Sequence, residues 1–135
     1  MSPWLEMTLR LLLAAALGAI IGFQRERAKK AAGLRTHILI STGAALFTLA
    51  SIYGFGDDGV DASRVAAGVV AGIGFIGAGV IFRGPRGEMV SGLTTAATIW
   101  TTAAIGLAAG AGMYLISAVA TAIAAGVLWM PKVRD

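Results

Sequence analysis

From Met89 to Met130 the chain carries no charged side chain. A helix crosses the hydrocarbon core of a bilayer with about 20 residues, so this run is too long for one crossing and long enough for two. A water-soluble domain does not sustain such a stretch, because its surface helices and strands need a polar face. Gly110-Ala111-Gly112, near the middle of the run, supplies a turn. The pattern predicts helices over about 92–109 and 113–130. Three earlier stretches, Trp4 to Phe23, Thr36 to Gly54 and Val65 to Phe82, are almost free of charge. Each fits one span, which predicts helices over about 4–24, 36–54 and 64–82.

The expected fold class is therefore all-α: a membrane bundle of five transmembrane helices in a single domain, 1–135, with no linker and no convincing internal repeat. Composition agrees. Only 13% of the residues are charged, against roughly 25% in a soluble domain, and mean hydropathy is +0.81. Nineteen glycines sit inside apolar runs, where they let helix backbones approach. There is no cysteine, which removes disulfides, thiolate metal sites and cysteine nucleophiles.

The net charge of +4 raises nucleic acid as a partner, but its placement points to a membrane. Arg25, Arg27, Lys29, Lys30 and Arg35 follow the first span, Arg83 and Arg86 follow the third, and Lys132 and Arg134 follow the fifth. With five spans, nine of the 11 basic residues fall on one side. The positive-inside bias then places the N-terminus outside and the C-terminus inside. Four spans would put the basic tail outside. Helix 1 lacks a basic segment before its apolar core and has its positive flank after it, the reverse of a cleaved signal peptide. Trp4, Tyr53 and Trp129 fall at interfacial depths, whereas Trp100 lies inside helix 4 and calls for packing or a partner.

Gly72-Ile-Gly-Phe-Ile-Gly77 matches the dinucleotide fingerprint, but that motif must follow a strand and open a helix. Here it lies mid-span, so close packing through Gly68, Gly72, Gly74, Gly77 and Gly79 is the better account. Gly18/Gly22 and Gly106/Gly110 repeat the small-xxx-small spacing. These faces are expected to pack within the bundle, between protomers, or both, and a homodimer is the favoured assembly.

Helix 4 carries Thr94, Thr95, Thr98, Thr101 and Thr102. Positions 94, 98 and 101 share a face, with 95 and 102 beside it. The stripe serves interhelical hydrogen bonds or, less simply, lines a pathway. Arg10 with Glu6 one turn earlier forms an i, i+4 pair, and snorkelling to the outer interface is its simplest role. Glu26 and Arg35 are placed to clamp the ends of helices 1 and 2. Gln24, Arg25, Glu26, Arg35, Thr36, His37, Arg64, Thr94, Thr98 and Thr101 make up the candidate polar cluster. Asp57, Asp58 and Asp61 in the outer loop have the oxygen chemistry for Mg²⁺ or Ca²⁺, although solvating the loop and capping helix 3 through Asp61 or Ser63 is the stronger explanation. One histidine cannot define a metal site. No nucleophile–base pair, carboxylate dyad or phosphate-cradling loop is visible, so neither an enzyme nor a cofactor is expected.

Several stretches together resemble the MgtC/SapB family of bacterial inner-membrane proteins. They are Gly18-Ala-Ile-Ile-Gly22-Phe-Gln-Arg25-Glu26-Arg27, Ala32-Gly33-Leu34-Arg35-Thr36-His37, Arg64-Val-Ala-Ala, Gly72-Ile-Gly-Phe-Ile-Gly-Ala-Gly79-Val-Ile81, Gly92-Leu-Thr-Thr-Ala-Ala97-Thr-Ile-Trp100 and Ala103-Ala-Ile-Gly106. The resemblance runs in order over nearly the whole chain. It implies a five-helix membrane domain, a role in adaptation to low magnesium, and regulation of other membrane proteins such as ATP synthase. Many members carry a soluble C-terminal domain, and the chain is expected to hold the transmembrane domain without it. The family often has Gln at position 68, Glu at 24 and Asn at 94. Gly68, Gln24 and Thr94 therefore imply a branch distinct from the virulence-factor members.

Overall fold

A computed structural model describes residues 2–56, 61–83 and 90–131. Asp57 and Asp58 of the candidate cation loop lie outside the described residues, as do Arg86, Lys132 and Arg134.

Helix α1 spans Pro3–Arg27. Ser2 caps it by accepting from the Leu5 amide at 3.2 Å, and Pro3 opens it, where a missing N–H costs nothing. Glu6 in the first turn and Arg25 and Arg27 in the last complement the helix dipole. The chain reverses through Lys29, which takes a left-handed φ of 57°. Helix α2, Leu34–Tyr53, begins two residues before the expected start, so Arg35 and Thr36 belong to its first turn. Its N-terminal amide at Leu34 donates to Glu26 Oε1 of α1 at 3.0 Å. A carboxylate from the preceding helix thus does the capping that Gly33 cannot do.

Helix α3, Ser63–Gly79, is entered through Asp61, whose Oδ1 accepts from the Ser63 amide at 3.0 Å and from its hydroxyl at 2.6 Å. These two bonds hold the Asp61 carboxyl below the usual range. The Ser51 hydroxyl donates to Ala62 O at 2.9 Å and ties the end of α2 to the start of α3. Helix α3 ends at Gly79 rather than at 82, because Phe82–Arg83 (β1) pairs antiparallel with Val90–Ser91 (β2). Gly92 then takes φ +89° under the Val80 carbonyl, a place a side chain cannot enter. Helix α4 runs Leu93–Gly110 and α5 runs Tyr114–Trp129, joined through Gly112 at φ +87°.

Three helices, α1, α2 and α4, are long and apolar enough to cross a membrane. Helices α3 and α5 are apolar but have 17 and 16 residues, about 25 Å each. The long three form the core, where Ala14, Ala45 and Ala109 meet. Helix α2 is held between α1 and α4, with both approaching Ser41. A Cβ at Gly18 would strike the Ser41 side chain, and one at Gly106 would lie 2.7 Å from Ser41 Cα. A Cβ at Gly22 would meet Leu34 Cα at 2.8 Å, and one at Gly110 would meet Ala45 O at 2.7 Å. Backbone approach this close is how helices associate where burial of apolar surface from water supplies no force.

Many large apolar side chains point the other way. Phe75 is 85% exposed, Leu115 74%, Phe47 63% and Ile123 62%. Leu17, Ile21, Leu49, Ile99 and Ile105 are buried, but a surface this rich in large apolar side chains inverts the pattern of a water-soluble protein, and lipid is the solvent that suits it.

Candidate functional site

Four buried polar groups, Arg25, His37, Thr95 and Thr98, gather where the last turn of α1 meets the first turns of α2 and α4. Arg25, buried at 5% exposure, donates from Nη2 to Thr95 Oγ1 at 2.7 Å. His37, with no exposed surface, places Nδ1 2.8 Å from Gly33 O and Nε2 3.2 Å from Thr98 Oγ1. The Thr98 hydroxyl also reaches Thr95 O at 2.8 Å. A charge taken out of water is costly unless it is hydrogen-bonded, and Thr95 provides one such bond. The junction joins three helices through side chains that cannot be left unpaired in an apolar surround.

The expected cluster divides. Arg25, His37 and Thr98 converge on the junction. Gln24 leaves it, donating to Ala125 O of α5 at 3.2 Å. Glu26 and Arg35 form no ion pair: the Glu26 carboxylate caps α2, and Arg35 and Thr36 are exposed. Arg64 is exposed at the start of α3, at the far end of the bundle. Thr94 and Thr101 instead line a cleft of about 320 Å³ between α4 and α5, walled by Thr98, Thr102, Ile123 and Val127. Thr95 is the residue that the threonine stripe undervalued. Thr95, Ile99, Thr102, Gly106 and Ala109 all lie on the buried face of α4, and their helical phase with Gly106 marks them in the sequence.

Arg10 is bonded within the bundle end. Its Nε meets Glu6 Oε1 at 3.1 Å, its Nη1 donates to Gly110 O at 3.0 Å, and its guanidinium lies 5.6 Å from the Tyr53 ring centre. The Tyr114 hydroxyl donates to the same Glu6 oxygen. One cation thus satisfies a carbonyl in the last turn of α4 and draws together α1, α2, α4 and α5. Trp100, half exposed, stands beside Gly74 of α3 and lines a small void with Ile73 and Leu107.

The glycines divide as well. Gly18, Gly22, Gly106 and Gly110 sit in helix contacts, and Gly77 lies in ordinary contact with Ala96. A Cβ at Gly68, Gly72 or Gly79 would meet nothing within 4 Å, and the same holds at Gly43 of α2. Gly43, Gly68 and Gly72 line an open apolar groove of about 680 Å³ between α2 and α3, with Phe47, Val69 and Ile76 around it. Among the described residues no group of three or more His, Asp or Glu side chains is placed to hold a metal ion.

The contacts also fix the order of the helices. Arg25, His37, Thr95 and Ala125 share one end, and Arg10, Tyr53, Ala62, Gly110 and Tyr114 share the other. Successive helices therefore alternate in direction, and the basic residues from 25 to 35 collect at one end.

The MgtC family profile matches residues 11–134. The chain belongs to the MgtC family. Its relatives include YhiD of Escherichia coli (strain K12), whose name proposes magnesium transport, 53% identical over 115 residues. That match covers 81% of this chain and 53% of YhiD. Protein SrpB of Synechococcus elongatus is 45% identical over 128 residues, covering 87% of this chain and 70% of SrpB. Protein MgtC of Brucella abortus is 48% identical over 120 residues, covering 87% of this chain and 49% of that protein. This MgtC-family chain thus spans about half the length of the Escherichia and Brucella relatives. No solved structure matches it.

Proposed function

We propose that this chain is a multi-pass protein of the bacterial inner membrane, with five spans, its N-terminus outside and its C-terminus inside. On this reading it is a non-enzymatic regulator in magnesium or ion homeostasis that acts by docking another membrane protein. The observation that carries the reading is the groove between α2 and α3. Gly43, Gly68 and Gly72 present bare backbone there, with nothing within 4 Å, while Phe47 and Ile76 flank it. Small residues between large ones receive a transmembrane helix as Gly18, Gly22, Gly106 and Gly110 receive their neighbours inside the bundle. A second copy of this chain is one occupant that fits, which makes a homodimer part of the proposal. The basic end, on the cytoplasmic side under this topology, adds attraction for anionic lipid or an acidic partner surface.

Magnesium transport by the chain itself is the second reading. It is favoured by the names of relatives and by the threonine-lined cleft between α4 and α5. Against it, the buried charge among the described residues is Arg25, bonded to Thr95 beside the cleft residue Thr94, and a fixed cation repels a divalent one.

The test pairs Gly68→Leu/Gly72→Leu with the wild type. The leucines enter open space and leave the fold intact, so the variant is expected to remain folded in nanodiscs while losing support of growth at low magnesium. Neither protein is expected to move magnesium in proteoliposomes. Full growth support by the folded variant removes the docking reading, and magnesium flux above empty liposomes establishes the transport one.

A further inference from the structure

His37 occupies a position that only hydrogen-bond accounting explains. Gly33 O can only accept, so Nδ1, 2.8 Å away, carries a proton. The Thr98 hydroxyl has one proton and two partners: Thr95 O at 2.8 Å and His37 Nε2 at 3.2 Å. When the ring is neutral, Nε2 is an acceptor and the Thr98 proton must turn to it, leaving Thr95 O. When the ring is protonated, Nε2–H donates to Thr98, and the Thr98 proton returns to Thr95 O. Both protonation states are fully bonded, but by different patterns. One directs the Thr98 hydroxyl across to α2, and the other directs it back along α4.

We propose that His37 is a buried proton-binding site that selects between these two patterns at the junction of α1, α2 and α4. A histidine has the only side chain whose ordinary titration falls between about pH 5 and 8. A histidine locked in one state needs one fixed partner set, whereas Thr98 serves either state through a single hydroxyl rotation. The charged groups facing the ring come from α1. Arg25 binds Thr95 next to Thr98, and Glu26 Oε1 binds Leu34 N beside Gly33. The two carry opposite charges, and each is tied to a neighbour of the ring's own hydrogen-bond partners. Helix α4 brings no titratable group, only Thr95 and Thr98. The exposed Arg35 lies on the ring's own helix. Helix α3 holds its one charge, Arg64, at the opposite end, and α5 holds none. The proposal rests on this geometry and stands or falls independently of partner docking.

The chain has one histidine, so the protein labelled with ¹⁵N-histidine in lipid nanodiscs gives one pair of ring-nitrogen signals without assignment. Between about pH 5 and 8 the wild type is expected to pass from imidazolium to the neutral Nδ1–H tautomer. Thr98→Val keeps the branched shape and removes the hydroxyl. Bonds to a charged group exceed neutral ones, so the charged state loses more, and the midpoint is expected to fall by about one pH unit, tenfold in proton affinity. Thr98→Ser, which keeps the hydroxyl, is expected to restore the wild-type midpoint. A wild-type ring that does not titrate, or that is neutral as the Nε2–H tautomer, overturns the proposal without recourse to any variant. An unchanged midpoint in folded Thr98→Val overturns it equally.

Discussion

Gly106→Ala adds one methyl group where α4 crosses α2, and the structure gives its consequence a magnitude. The new Cβ would lie 2.7 Å from Ser41 Cα and against the Ser41 carbonyl oxygen. Carbon atoms pack best at about 3.5–4.0 Å, so relief requires the two helices to part by about 1 Å. Both obstructing groups are backbone, which no side-chain rotation can move. Parting also strains the contact of Gly110 with Ala45 one turn on and the His37–Thr98 bond of 3.2 Å. Overpacking of this kind costs about 1–3 kcal/mol, and the strain at two further contacts puts Gly106→Ala at the upper end. The gain from replacing a helical glycine by alanine returns up to about 1 kcal/mol. The net expectation is a loss of about 2 kcal/mol, roughly 30-fold in the folding equilibrium. Gly72→Ala is the control. Its Cβ meets nothing within 4 Å, so only the alanine preference acts, and stability is expected to hold or rise by up to about 1 kcal/mol. Reversible unfolding in bicelles or nanodiscs, followed by circular dichroism, measures both. If Gly106→Ala is as stable as Gly72→Ala, the α2–α4 contact is not the close approach described here.

Three further outcomes are expected. Arg10→Ala leaves Gly110 O and Glu6 without their cation and is expected to cost about 2 kcal/mol in the same unfolding assay, the value of a hydrogen bond to a charged group. Arg10→Lys recovers only part of the loss, because one ammonium does not reproduce the planar fork. Thr95→Val takes the acceptor at 2.7 Å from Arg25 and is expected to cost about 1.5–3 kcal/mol, with Thr95→Ser close to wild type in thermal unfolding. The Asp61 carboxyl is held below its usual range by Ser63, so its support of the α3 N-terminus is present at neutral pH. That support is lost as the pH falls through the lowered value. Hydrogen exchange of the first α3 amides is expected to quicken, relative to its intrinsic rate, over that acid range in the wild type. Asp61→Asn removes the pH dependence.

The five helices were legible because charge is scarce in their central stretches and glycine punctuates the chain. The positions of Lys29 and Lys30 after the first helix and of Gly110–Gly112 between the last two marked turns that the structure contains. The end of α3 was not legible, since Phe82 reads as apolar and only its pairing with Ser91 removes it from the helix. The close contacts at Gly18, Gly22, Gly106 and Gly110 follow from their spacing, but the same spacing at Gly68 and Gly72 faces open space. Spacing places small residues on a face without saying what meets that face. The polar cluster was legible in part for a similar reason. Arg25, His37 and Thr98 sit at helix ends, whereas Glu26 turns to the α2 amide because an unpaired N–H is closer than the Arg35 side chain. The partner of Arg10 in the last turn of α4 was not legible, because that carbonyl comes from a segment a hundred positions away.

The central claim is that the groove between α2 and α3 receives another membrane protein. A photo-crosslinking residue at position 68, in the groove, and another at position 126, on the open face of α5, report what lies against each in living bacterial membranes. The account predicts a discrete protein adduct at 68, either a second copy or a different membrane protein, and lipid adducts alone at 126. The adduct at 68 is expected to disappear when Gly72 is also replaced by leucine. Lipid adducts alone at both positions would contradict it.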